Sequence, residues 1–489
     1  MVRQFRWMHR YGPVVRGDRG SRWTTEQRWT LLAMSSANFA VALDFAGLNV
    51  ALPTIGDDLG ASTAGLQSIT ISYLLTLTVF LVPAGRIADV LGRRRLCAWG
   101  LVVFTIGSVV SMVAGSPTEL AVARGVTGVG AAILMATTLS LVGAAFPWKA
   151  GRGRAIGLWS AVGAVGSAIG PLLAGVLTSA ASWRWFFALA VPLSLITFAA
   201  TSTGRVPESR SDDAAATIDW LGATLLTLGL GGGVLALLMA PTHGWGAAPV
   251  IASALVGGVG FVAFGVRERT ARDPLIELRR FRNIGFVVSS SVAFVANVGF
   301  AAVMFFIALY LQQVEGLGAA EAGATFLALT ASLIVLSPVA GRLSARAGVD
   351  VVMGIGMMAL TTSFAVFALV DESTGLALAF VGLLLSGAGQ AFAFAGSNLG
   401  AISSVSASAI GAASGLVNGI RQAGALVGLA ITGAIFRHVA GNDPGPAAFV
   451  EGLRPTMIFV AVLCAGGAAL ALATRARVDA AAPVAPPPS

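Results

Sequence analysis

Apolar runs of about 20 residues, each long enough to cross a bilayer as a helix, follow one another along almost the whole of this 489-residue chain. They are apolar all round, with no polar face at helical or strand period, so their partners are lipid or one another. Backbone polar groups in hydrocarbon must be satisfied within each segment, which leaves an all-α integral membrane bundle as the fold class. Only 11% of residues are charged and 56% are hydrophobic, so no soluble domain is expected. Runs bounded by charge, proline or glycine number about fourteen, from 29–52 and 63–84 at the start to 409–436 and 455–474 at the end.

The formal charge of +9 does not mark a nucleic-acid surface, because the arginines occupy every second connector. Arg86 to Arg95, Lys149 to Arg154, Arg205 and Arg210, Arg267 to Arg282, Arg342 and Arg346, and Arg475 and Arg477 fall on one side, which is expected to be cytoplasmic. The opposite connectors hold Asp57, Asp58, Glu119, Glu315, Glu321, Asp371 and Glu372, with Arg184, Arg437 and Arg454 as exceptions. An even number of crossings then puts both termini inside. The arginine-rich start has no apolar core before Trp29, so the first helix is the targeting anchor and no cleavable signal is expected. A single lysine among many arginines, alanines and glycines is the bias of a GC-rich bacterial genome.

Several chemistries lack their residues. Lys149 sits in Phe-Pro-Trp-Lys-Ala and not in a glycine-rich phosphate loop, so no ATPase site and no cofactor are expected. His9, His243 and His438 are isolated, and Cys97 and Cys464 are far apart, so neither a metal site nor a disulfide framework is expected. With no nucleophile, base and metal cluster, an integral-membrane enzyme is a remote alternative.

Between Gly85 and Arg95 the chain packs one acid, four arginines and two glycines into eleven positions between two crossings. A plain connector needs none of them, so this hinge reads as an interaction site. It is echoed by Gly341-Arg-Leu-Ser-Ala-Arg-Ala-Gly348, with Ala345 where Asp89 stands, which points to two homologous halves that do not work identically. The segments between about 217 and 266 fit neither half and read as an inserted helical pair.

Gly85-x-x-x-Asp89-x-x-Gly92-Arg93-Arg94 resembles the signature loop of the major facilitator superfamily. Leu43-Asp44-Phe-Ala-Gly-Leu-Asn49-Val-Ala-Leu-Pro53 resembles the first-helix motif of its fourteen-helix drug:proton antiporters, the EmrB/QacA type. Arg124-x-x-Thr127-Gly128-x-Gly130 resembles the fourth-helix motif, with Thr127 in place of a glutamine. Gly157, Gly166, Gly170-Pro171 and Ala174-Gly175 resemble the antiporter motif of the fifth helix, with Ala174 replacing a glycine. Ser182 to Phe187, Pro274 to Leu278, Leu311-Gln312-Gln313, and Ser414 to Asn418 with Arg421-Gln422 are similar to later stretches of the same group. The resemblance implies two six-helix bundles plus two extra central helices, alternating access, and export.

Asp44 is the acid deep within a crossing, where an ionised carboxyl costs at least about 2.5 kcal/mol, so it is the expected proton carrier, with Arg124 as its partner. The alternatives are an acid satisfied by Asn38 or Asn49, and an arginine that merely snorkels to the outer interface. For Asp89, the resemblance implies a carboxylate that binds the exposed amides of another helix N-terminus and locks a cytoplasmic gate. The stripe of Gly166 and Gly170 beside Pro171 is expected to pack closely and, facing the other half, to seal the cavity. Asn38, Gln67, Tyr73, Trp159, Asn297, Gln312, Gln390, Asn398, Asn418 and Arg421 interrupt apolar runs and are candidate cavity residues or interhelical glue. Arg421 in particular could fix the halves together or meet an anionic substrate group.

The expected organisation is a basic segment at 1–28, a six-helix bundle at 29–204, the inserted pair and linkers at 205–283, a second bundle at 284–474 and a disordered tail at 475–489. The expected activity is proton-coupled efflux of drug-like hydrophobic or amphipathic molecules by a monomer in the bacterial plasma membrane, driven by the proton gradient. A metabolite exporter or importer of the same fold is the alternative.

Overall fold

The computed structural model describes residues 23–146, 149–202, 204, 206, 208–209, 219–271, 275–276, 281–371, 375–405 and 410–481. Most of the expected basic segment and the end of the expected tail lie outside the described residues. Fourteen helices among them are long and apolar enough to cross a membrane. The first six are α1 (Thr25–Leu59), α2 (Thr63–Leu91), α3 (Arg93–Val113), α4 (Pro117–Ala145), α5 (Lys149–Ala180) and α6 (Arg184–Ser202). Then come α7 (Trp220–His243) and α8 (Ala248–Thr270). The last six are α9 (Ile284–Gln313), α10 (Ala319–Ala347), α11 (Val349–Ala368), α12 (Gly375–Ser403), α13 (Ile410–Ala440) and α14 (Pro446–Ala481).

Helix starts follow capping chemistry. Thr24 and Gln27 form a reciprocal capping box that opens α1 before its apolar run, and Ser62, Ser116 and Asn283 accept first-turn amides of α2, α4 and α9. Two ends differ from expectation. The Gly85–Leu91 stretch is no loop: α2 runs through it to Leu91, and Gly92 alone, at φ +105°, turns the chain into α3. Arg86, Ala88 and Leu91 favour the helix, and only glycine adopts the backbone of position 92 cheaply. Gly348, at φ +92°, makes the same turn between α10 and α11, so the echo seen in sequence is a repeated backbone junction. At the other end, α14 continues to Ala481 instead of stopping at 474, because Ala-Thr-Arg-Ala-Arg keeps good helix propensity beyond the apolar run.

The two sets of six helices pack in the same pattern. α1 lies against α4, α5 and α6 as α9 lies against α12, α13 and α14; α2, α3 and α4 repeat as α10, α11 and α12. The halves meet along two equivalent seams, α2 with α13 and α5 with α10, and α1 also touches α9 and α10. The pair α7 and α8 is not central to the bundle. α7 lies over one seam, touching both α2 and α13, while the α5/α10 seam has no such cover among the described residues.

The seams close at the end away from Gly92. There Gln312 Nε2 donates to Val50 O at 2.9 Å, the Ala320 N–H to Ser179 Oγ at 3.2 Å, and the Thr63 N–H to Asn442 O at 3.0 Å. Gln67 Nε2 donates to Leu429 O, over Gly433. A Cβ on Gly175 would strike the Ala319 carbonyl, and one on Gly323 would lie 2.9 Å from the Pro171 carbonyl carbon. Toward the Gly92 end the α5/α10 side is looser: Gly153 and Gly157 on α5 and Gly341 on α10 have open space where a Cβ would sit, while one on Gly419 of α13 would still lie 3.8 Å from Val82 of α2.

Candidate functional site

Asp44 and Arg124 meet inside the first half. Arg124 Nη1 donates to Asp44 Oδ1 at 2.7 Å, and the two residues are 1% and 3% exposed. Arg124 therefore does not snorkel, because its charge is matched at depth. Its guanidinium lies over the Tyr73 ring at 4.4 Å and near the Phe187 ring at 5.7 Å, so aromatic faces cover what the carboxylate does not. Among the described residues, Asp44 Oδ2 has no hydrogen-bond donor and Arg124 Nε no acceptor. Removing either member of such a pair leaves an uncompensated buried charge, at a cost of about 3–5 kcal/mol.

Glycines bring the supporting helices close enough. A Cβ on Gly128 would lie 3.1 Å from the Tyr73 carbonyl carbon, one on Gly130 would lie 2.6 Å from Phe104 Cα, and one on Gly107 would lie 2.5 Å from the Thr127 N. The fourth-helix motif is thus a packing surface that nests α4 between α2 and α3 and sets Arg124 beside Tyr73. Behind Asp44, Gly47 admits the Phe186 ring, and Gly170 lies against Leu43 O. The stripe of Gly166 and Gly170 is therefore directed at α1 in its own half, not at the other half as the sequence reading had it. Gly166 meets Phe39 O and Gly170 meets Leu43 O because α1 and α5 cross there; Gly175 and the Pro171 carbonyl are the parts that reach α10.

The stretch Ser182 to Phe187 fastens this assembly from outside. Arg184 Nη1 pairs with Asp58 Oδ2 at 2.6 Å and Nη2 donates to Ala114 O at 3.2 Å, while Trp183 Nε1 donates to the same Asp58 oxygen at 3.0 Å. The ends of α1, α3 and α6 are tied together, and Phe186 and Phe187 are driven under the ion pair. Arg184 thus owes its place on the acidic side to a specific partner. Arg437, a second exception to the charge pattern, is not in a connector: it is 3% exposed and approaches Leu237 O and Leu238 O of α7 at 3.5 and 3.4 Å. Pro241 has no N–H to give Leu237 O, so the guanidinium takes that role.

At the Gly92 junction, Asp89 Oδ1 accepts from Arg93 Nη2 at 2.9 Å and Nε at 3.2 Å, within its own turn. The amides at the start of α3 are received by the linker after α6. Glu208 Oε1 accepts the Arg94 N–H at 3.0 Å, Ser209 O accepts the Arg93 N–H at 3.0 Å, and Arg94 Nη1 donates to Val206 O at 3.2 Å. Glu208 thus caps the α3 N-terminus in this arrangement, because the one-residue turn at Gly92 points that N-terminus at the linker. On the second extra helix, Arg267 donates to both oxygens of Asp219, the N-cap of α7, at 3.2 and 3.1 Å. Glu268 accepts the amides of Leu275 and Ile276, holding part of the Pro274–Leu278 stretch; Pro274, Glu277 and Leu278 themselves lie outside the described residues.

The candidate cavity residues separate into two groups. Asn38 donates to Trp159 O at 3.1 Å, Gln390 to Ala296 O at 2.7 Å and Asn297 to Ala293 O at 3.1 Å; with Gln67 and Gln312 they hold helices or backbone. Trp159 and Asn418 are half-buried, and the Trp159 Nε1 has no acceptor among the described residues. Arg421 donates to Asn398 Oδ1 at 2.9 Å and lies over Phe394 at 4.5 Å, all within the second half, so it does not join the halves. Sequence reasoning missed Phe45, half-buried beside Asp44, and Phe300, which stacks on it from α9. Phe45 lies inside the first-helix motif beside Asp44, and Phe300 falls between Pro274–Leu278 and Leu311–Gln313; nothing else in the sequence signals them.

A family profile described as the Major Facilitator Superfamily matches residues 34–429 and 293–486. Among curated relatives, the multidrug resistance protein Stp of Mycobacterium tuberculosis is 32% identical over 84% of this chain and 76% of its own length. The tetracenomycin C resistance and export protein of Streptomyces glaucescens is 31% identical over 87% and 78%. The puromycin resistance protein pur8 of Streptomyces alboniger is 30% identical over 87% and 86%. Among solved structures, a POT family transporter in complex with 5-aminolevulinic acid superposes with a TM-score of 0.69 at 12% identity, covering 92% of this chain and 96% of that one. That likeness concerns the fold alone. With profile, relatives and helix packing in agreement, the chain belongs to the Major Facilitator Superfamily.

Proposed function

We propose that this protein is a proton-coupled exporter of small hydrophobic or amphipathic compounds, with Asp44 as the proton carrier. The observation that carries the reading is the Asp44–Arg124 pair, a carboxylate and a guanidinium sealed among apolar helices with one carboxylate oxygen unpartnered among the described residues. An acid in that place is expensive and tends to mark an ion pathway. The names of the relatives, which concern multidrug, tetracenomycin C and puromycin resistance, favour drug-like cargo moving outward.

In this reading the arginine-rich Gly92 end is cytoplasmic, as the charge bias favours, and both termini lie there. The seams closed at the opposite end belong, on the same reading, to an inward-facing conformation. Proton uptake by Asp44 dissolves its pair with Arg124, and release restores it. Because Arg124 lies sealed from water, the two charge states stabilise different arrangements of the surrounding rings, and substrate binding on one side is exchanged for proton binding on the other.

The test uses proteoliposomes with an imposed pH gradient and ethidium as the probe. Gradient-driven export should be lost in Asp44→Asn while dye binding persists. Equal export by Asp44→Asn would refute Asp44 as carrier, and dye movement along with the proton gradient in the native protein would favour an importer.

A further inference from the structure

One file of aromatic rings connects the buried ion pair to the other half of the molecule. Arg124 lies over Tyr73 at 4.4 Å; Tyr73 stacks on Phe45 with centroids 6.2 Å apart and planes at 30°; Phe45 stacks on Phe300 at 6.2 Å and 20°. The first two rings belong to α2 and α1, the third to α9 across the interface. Burial changes along the file: Asp44, Arg124 and Tyr73 are sealed, whereas Phe45 and Phe300 are half-buried. One turn beyond Phe300 the helix α9 contains a π-turn, Val303–Ile307, wholly buried, and such bulges are enriched at functional sites. Past it, Gln312 makes its bond to Val50 O, so α9 carries both the last ring and a contact of the closed seam.

We propose that Phe45 is a positioning residue that transmits the charge state of the Asp44–Arg124 pair to the seam, with Phe300 receiving it. The proposal rests on the proton-coupled reading above. The charged and titratable side chains set against Asp44 are Arg124 from α4 and Tyr73 from α2. When Asp44 takes a proton, Arg124 loses its counterion but has no route to water, so the faces of Tyr73 and Phe187 must hold it. Tyr73 is thereby reset, and Phe45, one residue from Asp44 and stacked on Tyr73, is reset with it. Its other face bears on Phe300, so the contact between α1 and α9 changes with the proton. A side chain without a ring at position 45 leaves the ion pair intact but disconnects it from the seam.

The test reads the seam without any substrate. Thr118→Cys and Leu369→Cys lie exposed at the closed ends of the two halves and take spin labels, while native Cys97 and Cys464 are fully buried. Pulsed EPR on the full-length protein in lipid nanodiscs, from pH 5 to 9, gives the open-to-closed ratio at that end. In the labelled native background the ratio should change with pH by roughly 5- to 150-fold, the range of ordinary coupling energies. Phe45→Ala and Phe300→Ala should each flatten the response to under about twofold, their combination adding nothing, and Phe45→Trp should retain it. Phe45→Leu preserves bulk if the alanine variant misfolds. A purely structural role shifts the ratio equally at every pH and overturns the proposal, as does a full response in Phe45→Ala or Phe45→Leu. A pH-independent ratio in the native background, confirmed by an identical Asp44→Asn trace, removes the proton-coupled reading and this proposal with it.

Discussion

Gly175 is the position at which a single methyl group should move the whole transporter. A Cβ there would strike the Ala319 carbonyl, with the carbonyl carbon at 2.8 Å and Ala320 Cα at 3.0 Å. All three neighbours are backbone atoms of α10, so no side-chain rotation relieves the overlap, and the seam between α5 and α10 has to part. Overpacking of this kind costs about 1–3 kcal/mol in the closed arrangement and nothing when the seam is open. A differential of that size shifts a two-state equilibrium by roughly 5- to 150-fold. The assay is cross-linking of Ser179→Cys to Ala320→Cys with a short bifunctional thiol reagent, since Ser179 Oγ already accepts the Ala320 N–H at 3.2 Å. Gly175→Ala should lower the cross-linking rate by up to that factor, whereas Gly157→Ala, which enters open space, should not. Equal rates in Gly175→Ala and the parent would refute the idea that this glycine sets the closed seam.

Three further outcomes are expected. Arg124→Met should destabilise the detergent-solubilised protein by about 3–5 kcal/mol, because Asp44 is left buried without its partner, and Asp44→Leu in the same chain should recover most of it; additive losses in denaturation would contradict a matched pair. Arg437→Met should loosen α7, seen as faster proteolysis of the inserted pair, and Pro241→Ala should reverse the effect by restoring an N–H to Leu237 O; no rescue would show that Arg437 acts otherwise. Burial pushes the Asp219 carboxyl up, but Arg267 and the Gly222 N–H outweigh it and hold the carboxyl below its ordinary range. A depressed carboxyl stabilises the fold above its unfolded value of about 3.9 and loses that contribution as pH falls through the folded value, so native and Asp219→Asn melting temperatures should converge only in that acid window.

The sequence by itself determined the membrane, the number of crossings, the two halves and the residues worth watching, because each depends on local facts: run length, charge in alternate connectors, and an acid where hydrocarbon should be. Asp44 and Arg124 stood out in this way. That they touch, and that Tyr73, Phe45 and Phe300 extend the contact to the other half, depends on residues brought together from α1, α2, α4 and α9. No local pattern encodes it. The same limit explains the glycine stripe, whose packing was legible while its partner, α1, was not: a helix presents several faces, and which one meets which neighbour is decided by the whole bundle. Glu208 is the plainest case. It is an ordinary linker acid in sequence, and it becomes the anchor of the α3 N-terminus only because a single glycine at φ +105° turns that helix toward it.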